Sequence, residues 1–202
     1  MFDVLILGGG VSGMSCALVL GSAKNKPFVI DKKIGIITHQ KASSLQEAII
    51  NNAYGIASGK LGSDLLIESI RHLSETYPHI TQIPSEKILK IEGESPEITI
   101  TTNKNTYYSK TIVMAIGYSN TFDIEGLMEY VEPHQKTLAE KQRIQLKNID
   151  HRVAEGIYVT GTLAGWRSQV AIAAGSGAAV ATDILTLWNG GIQTQSHDSI
   201  KK

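Results

Sequence analysis

The feature that most constrains this chain stands at its start. An apolar run, Val4-Leu5-Ile6-Leu7, enters the turn Gly8-Gly9-Gly10-Val11-Ser12-Gly13 and leaves it as a helix of small residues. A buried strand turning at once into a helix that packs on the same sheet is the opening of a βαβ unit, so the chain reads as α/β. Gly8, Gly10 and Gly13 fit G-x-G-x-x-G, and each has a physical use. Gly8 permits the tight turn, Gly10 has no side chain to hold the backbone away from a pyrophosphate, and Gly13 lets the helix approach the sheet. The helix N-terminus offers free N–H groups and the positive end of its dipole to phosphates. Phe28-Val29-Ile30-Asp31 reads as the second strand, ending in a carboxylate that can accept hydrogen bonds from ribose hydroxyls. Lys32 is counted with the same end of the site. Lys32-Lys33 would suit a 2′-phosphate, but a carboxylate at Asp31 would repel it, so FAD or NAD fits better than NADP. The bland alternative is a purely structural glycine-rich turn.

Charge excludes several function classes. Basic and acidic residues balance at 19 each, with no long basic run, so no net field draws nucleic acid or an anionic membrane. The N-terminus lacks the positive region of a signal peptide, and no stretch approaches a membrane span, which makes a cytoplasmic protein the expectation. The single cysteine, Cys16, lies among Met14, Ala17 and Leu18 and reads as a buried, inert thiol. The histidines, at 39, 72, 79, 134, 151 and 197, form no metal-type cluster. His39 and His134 lie in loops whose position the sequence does not fix.

Further along, Lys32 to Ser44 reads as a polar stretch interrupted by Ile34, Ile36 and Ile37. Ser63-Asp64 can cap a helix with Leu65, Leu66, Ile70 and Leu73 at helical spacing, stopped by Pro78. Ile88 to Ser109 alternates in three short runs separated by turns, an exposed antiparallel meander. Thr111 to Gly117 and Gly156 to Gly161 are continuous apolar runs suited to strands buried on both faces. An alanine- and glycine-rich helix runs from Gln169 to about Asn189. Tyr118 to Arg152 is weakly periodic. The expectation is a single domain over residues 1–190, with a parallel sheet of about five strands, flanking helices and the three-stranded meander. Residues 191–202 are expected to be a disordered tail.

Taken in this order, the segments resemble the FAD-binding domain of the thioredoxin-reductase-like pyridine nucleotide-disulfide oxidoreductases. The resemblance runs from Asp3 to about Trp188 and rests on the glycine turn, Asn52-Ala53-Tyr54-Gly55, Met114-Ala115-Ile116-Gly117, Gly156-Ile157-Tyr158-Val159-Thr160-Gly161 and the small-residue helix. It implies a Rossmann-like FAD-binding domain that holds FAD non-covalently. Gly8, Gly10, Val11, Ser12 and Gly13 would cradle the pyrophosphate, Asp31 would bind the adenosine ribose, and Asn52 would belong to the site. Ala115 and Gly117 would pass close to the dinucleotide. Gly161 and Thr162 would stand where the family has Gly-Asp at the ribityl chain. Gln169 and Val170 would start the helix facing the pyrimidine end of the isoalloxazine, where a helix N-terminus stabilises the charge of reduced flavin.

The departures shape the expected activity. The sequence carries no Cys-x-x-Cys and no second glycine turn with a following acid. The resemblance therefore implies a flavin-dependent oxidoreductase without its own NADPH domain or redox dithiol, taking electrons from an external small-molecule or protein partner. No protein residue is assigned a catalytic step. A non-catalytic flavin- or nucleotide-binding module, a subunit of a larger redox complex, and an NAD-binding protein without flavin stand as rivals. A homodimer is left open, while nucleic acid and membrane partners are not expected. Trp166-Arg167 falls near the expected flavin ring, either as a cover over it or as a loop aromatic on the domain edge.

Overall fold

The computed structural model describes residues 1–41, 43–118 and 121–197. β1 (Val4–Leu7) runs into α1 (Val11–Ser22), and consecutive turns lead to β2 (Ile34–Thr38). A single 3-10 turn over Ser44–Glu47 and a short antiparallel pair, β3 (Ile49–Ile50) and β4 (Lys60–Leu61), precede α2 (Gly62–Thr76) and β5 (Thr81–Pro84). The meander is β6 (Ile88–Glu92), β7 (Ile98–Thr102) and β8 (Thr106–Ser109), and it feeds β9 (Ile112–Met114). β10 (Val131–Pro133) and β11 (Ile144–Leu146) pair as a hairpin. β12 (Arg152–Ala154), β13 (Ile157–Val159) and α3 (Val170–Trp188) complete the chain of elements.

The main sheet has the order β12-β13-β9-β1-β2-β5. β13, β9, β1, β2 and β5 are parallel, and only β12 on the edge is antiparallel to its neighbour. Both faces are covered, which is why the central strands read as continuous apolar runs rather than alternating ones. On one face Val4, Ile6, Ile36 and Val113 pack with Leu20 of α1 and Val180 and Ile184 of α3. On the other, Leu5, Leu7, Ile37, Ile112 and Met114 pack with Ile98 and Ile100 of the meander. The expected α/β architecture with a three-stranded meander is what the chain adopts.

α1 and α3 lie close because their facing residues are small. A Cβ on Gly177 would stand 1.9 Å from the Ser12 carbonyl oxygen, and Ser15 Oγ donates to the Ala174 carbonyl at 2.8 Å. α3 is long and apolar enough, by length and composition, to cross a membrane, contrary to the sequence expectation. Here one face of it packs into the core, with Gly177, Val180, Ala181, Ile184 and Leu185 buried.

Three further expectations shift. Ser63 and Asp64 sit inside the first turn of α2 rather than capping it, since the helix begins at Gly62 with Leu61 as its uncapped flank. Asp64 there still complements the helix dipole. The weakly periodic region contains the β10–β11 hairpin, whose strands of three residues are too short to show alternation. Residues 192–196 do not fray. Thr194 is buried, and Ser196 Oγ is held by Ser22 Oγ at 2.8 Å. Residues 198–202 of the expected tail lie outside the described residues.

Candidate functional site

The C-terminal ends of β13, β9 and β1 lie side by side, with Val159, Met114 and Leu7 in register. β1 is flanked by β2 on one side and β9 on the other, so the strand order reverses there. Open α/β sheets bind ligands in the crevice beyond such a switch point. The glycine turn emerges into it. Gly8 has φ +126, and a Cβ on it would stand 2.5 Å from the Ala115 carbonyl oxygen. A Cβ on Gly13 would meet the Gly8 oxygen at 1.9 Å. Around Gly10 and Gly117, by contrast, a Cβ would meet nothing within 4 Å. Gly8 and Gly13 are thus required by the protein's own packing, while Gly10 and Gly117 border open space. The first helical bond of α1 runs from Met14 N to Gly10 O at 2.9 Å. The amides of Val11, Ser12 and Gly13 belong to the first turn, which an α-helix leaves without intrahelical acceptors.

Other expected site residues gather around this turn. Gly161 adopts φ +70 beside the Ser12 hydroxyl, and its amide donates to Ser176 Oγ at 2.9 Å, which also bonds Thr160 Oγ1 at 2.8 Å. Ser12 is buried, so it offers the site its backbone rather than its side chain. Thr162 follows, its carbonyl oxygen 3.1 Å from His134 Nε2. Gln169 flanks the start of α3, and its Oε1 accepts from Asn52 Nδ2 at 3.3 Å, which joins two residues distant in sequence. A cavity of about 530 Å³ reaches from Gly10 and Val11 between α1 and α2 to Val170. Its walls are largely apolar, among them Met14, Leu18, Leu45 and Leu66.

A sequence model of the pyridine nucleotide-disulphide oxidoreductases matches residues 2–176. The chain belongs to that family. Among curated relatives, it is 29% identical to ferredoxin–NADP reductase 1 of Listeria welshimeri over 129 residues, 63% of this chain and 37% of that protein. It is 25% identical to ferredoxin–NADP reductase of Enterococcus faecalis over 182 residues, 89% of this chain and 48% of that protein. The chain thus spans less than half the length of these relatives. Its fold is similar to that of a thioredoxin reductase from Gloeobacter violaceus, with a TM-score of 0.70 at 15% identity, covering 99% of both chains.

In this member of the family, the expected ribose acid is misplaced. Phe28 to Asp31 is not a strand but a series of turns, closed by bonds such as Val29 N to Lys26 O at 2.8 Å. The second strand is β2, and Asp31 precedes it. Because β2 is parallel to β1, Asp31 stands at the opposite edge of the sheet from the glycine turn, a strand length or roughly 15 Å away. Lys32 is there too, with its Nζ 3.7 Å from Asp3 Oδ1 and 5.5 Å from the Trp188 ring. Neither belongs to the site. Ile34-Gly35-Ile36-Ile37-Thr38 is the better strand because every one of its side chains is buried, whereas Ile30 is 63% exposed.

The segment Thr38-His39-Gln40, at the end of β2, lies beside the glycine turn instead. Gln40 Nε2 donates to the Gly9 carbonyl at 2.6 Å, and a Cβ on Gly9 would press on Thr38 Cα at 2.9 Å, so this segment is locked to the turn. His39 lies between these two anchors, its Nδ1 buried without a partner among the described residues. Sequence reasoning placed His39 only in a loop of unfixed position. The apolar run ending at Thr38 was the available signal.

Cys16 is fully buried, and burial pushes its thiol pKa up, so it stays protonated and inert. Trp166 is 41% exposed, with Lys136 Nζ 4.3 Å above its ring and the His151 ring 6.1 Å away. No group of metal-ligating side chains occurs among the described residues.

Proposed function

We propose that this chain binds FAD non-covalently and acts as a flavin-dependent oxidoreductase whose reducing equivalents come from outside the chain. The observation that carries this reading is the contrast within the glycine turn. Gly8 and Gly13 are filled against by the protein itself, while Gly10 faces open space at a helix N-terminus, where a pyrophosphate would lie. Gly8, Gly10, Val11, Ser12 and Gly13 would hold the pyrophosphate, and His39 would face the adenosine ribose in place of an acid. Ala115 and Gly117 would pass the cofactor closely, with Gly161, Thr162, Asn52, Gln169 and Val170 at the ring end. Bound FAD would supply a ring able to take up and pass on two electrons.

The chain's own residues would position that ring and set its surroundings. The α3 N-terminus would favour negative charge on the pyrimidine end. Thr162 offers a hydroxyl where a carboxylate is usual, and its carbonyl is held by His134. No general acid or base is assigned. The chain has a single cysteine, so a dithiol relay within it is ruled out. The proposed donor is external, either a small reductant or a protein. The cytoplasm, where such donors are found, is the proposed location.

A second reading is a non-catalytic flavin-binding subunit of a larger redox complex. The test is anaerobic reduction of the FAD-loaded chain by NADH or NADPH, then turnover with oxygen, a quinone or a disulfide. Steady turnover by the isolated chain supports the enzyme. Flavin that binds but is neither reduced nor turned over supports the subunit reading.

A further inference from the structure

The β10–β11 hairpin carries a cation that the fold does not compensate. Arg143 lies just ahead of β11, half-buried, with its guanidinium carbon 5.1 Å from the Tyr118 ring centre. Among the described residues, its Nε is buried without a partner and its Nη1 reaches the Tyr118 carbonyl, at 3.4 Å. Among the described residues it forms no ion pair. Glu132, on the same hairpin, accepts instead from the side-chain amides of Gln145 and Gln135, at 2.8 and 3.2 Å. A guanidinium is charged at every physiological pH, and buried donors are nearly always paired. The group missing from Arg143 is an anion.

The surroundings say where that anion would sit. Arg143 pairs across the hairpin with His134, whose amide donates to the Arg143 carbonyl at 2.9 Å. The His134 ring lies 5.2 Å from that of Tyr118 and is almost wholly buried. Its Nδ1 accepts the Lys136 amide at 3.1 Å, which leaves the proton on Nε2 to be donated to the Thr162 carbonyl at 3.1 Å. That bond ties the cluster to the segment beyond β13, while Tyr118 directly follows Gly117 beyond β9. The cluster thus stands at the C-terminal edge of the sheet, beside the glycine turn rather than in it.

We propose that Arg143, lying over the Tyr118 ring, is a subsite for a carboxylate-bearing organic substrate. The planar guanidinium fork matches a carboxylate with two parallel hydrogen bonds, and the Tyr118 ring lies against it. That the bound acid would face a flavin rests on the FAD reading; the anion site itself does not.

The experiment titrates benzoate, and its neutral analogue benzamide, into the full chain by calorimetry. FAD retention is read in parallel by absorbance and folding by thermal melting. Wild type is expected to bind benzoate saturably and benzamide not at all. Arg143→Met is expected to weaken benzoate by about tenfold or more, Arg143→Lys by less, with FAD retention the same in all three. Benzoate binding by a folded Arg143→Met equal to wild type, equal affinity for benzamide, or no saturable binding by wild type would overturn the proposal. Should Arg143→Met not fold, an Arg143→Lys protein binding benzoate as tightly as wild type would do the same. Arg143-dependent benzoate binding without FAD retention would sink the cofactor reading and leave this subsite standing.

Discussion

Within one turn, neighbouring glycines serve opposite masters. Gly13 is needed by the fold, because any Cβ would collide with the Gly8 carbonyl, an atom of rigid backbone. Gly13→Ala should therefore cost about 3 kcal/mol in chemical denaturation. Gly10 has ordinary extended backbone and empty space around it. Gly10→Ala should leave stability within about 1 kcal/mol of wild type, yet weaken FAD binding by about tenfold or more in a flavin-fluorescence titration. Equal FAD affinity in Gly10→Ala would remove the pyrophosphate from this turn. Glu86 gives a residue-scale test of a different kind. It is 5% exposed and accepts hydrogen bonds from Thr102 Oγ1, from Asn105 Nδ2 at 2.8 Å and from the Tyr107 hydroxyl at 2.8 Å. Burial alone would raise its pKa, but these bonds outweigh it and hold the carboxyl below its ordinary value of 4.5. The charged form is thus favoured in the folded protein, so its contribution is present above pH 4.5 and is lost as pH falls through the lower folded value. Glu86→Gln should cost about 2 kcal/mol at pH 7 in urea unfolding. The gap to wild type should narrow as the pH drops below 4.5. A gap that is constant with pH would refute the charge-based account.

At the scale of elements, the α1–α3 contact holds the glycine turn against the sheet. Gly177 fits only because it lacks a Cβ, whereas Gly175, two residues earlier on the same helix, has nothing within 4 Å. Gly177→Ala should force the helices apart and lower stability by about 2 kcal/mol. Gly175→Ala should raise it by up to about 1 kcal/mol, the helix propensity of alanine over glycine. Thermal melts of the two variants moving in the same direction would contradict this packing. The same scale explains what the sequence disclosed and what it hid. β1, β9 and the meander were legible because their apolar patterns match burial on two faces or on one. β2 was not, since Phe28-Val29-Ile30 offers a competing apolar run directly before it, and the acid that followed made the wrong strand attractive. That error carried Asp31 and Lys32 into the site and hid His39. The β10–β11 hairpin was illegible because three-residue strands bearing glutamate, proline and glutamine show no period. Arg143 and His134 went unassigned with it.

For the molecule as a whole, family membership and the α/β architecture could be read from the order of a few short motifs. A chain of 202 residues can bury one sheet on both faces, and this one does. What pattern reading could not supply was which strand ends share an edge. The sheet order brings the segments carrying Gly10, Gly117, Thr162 and His39 to the C-terminal edge of the sheet, where the crevice opens, and sends Asp31 to the far side. The account's central claim is that this crevice holds a flavin. Its most direct test is the visible absorption spectrum of the purified chain after incubation with FAD and desalting. Retention of both flavin bands in near-stoichiometric amount is the predicted result. A spectrum left flat by wild-type protein that melts cooperatively would contradict it.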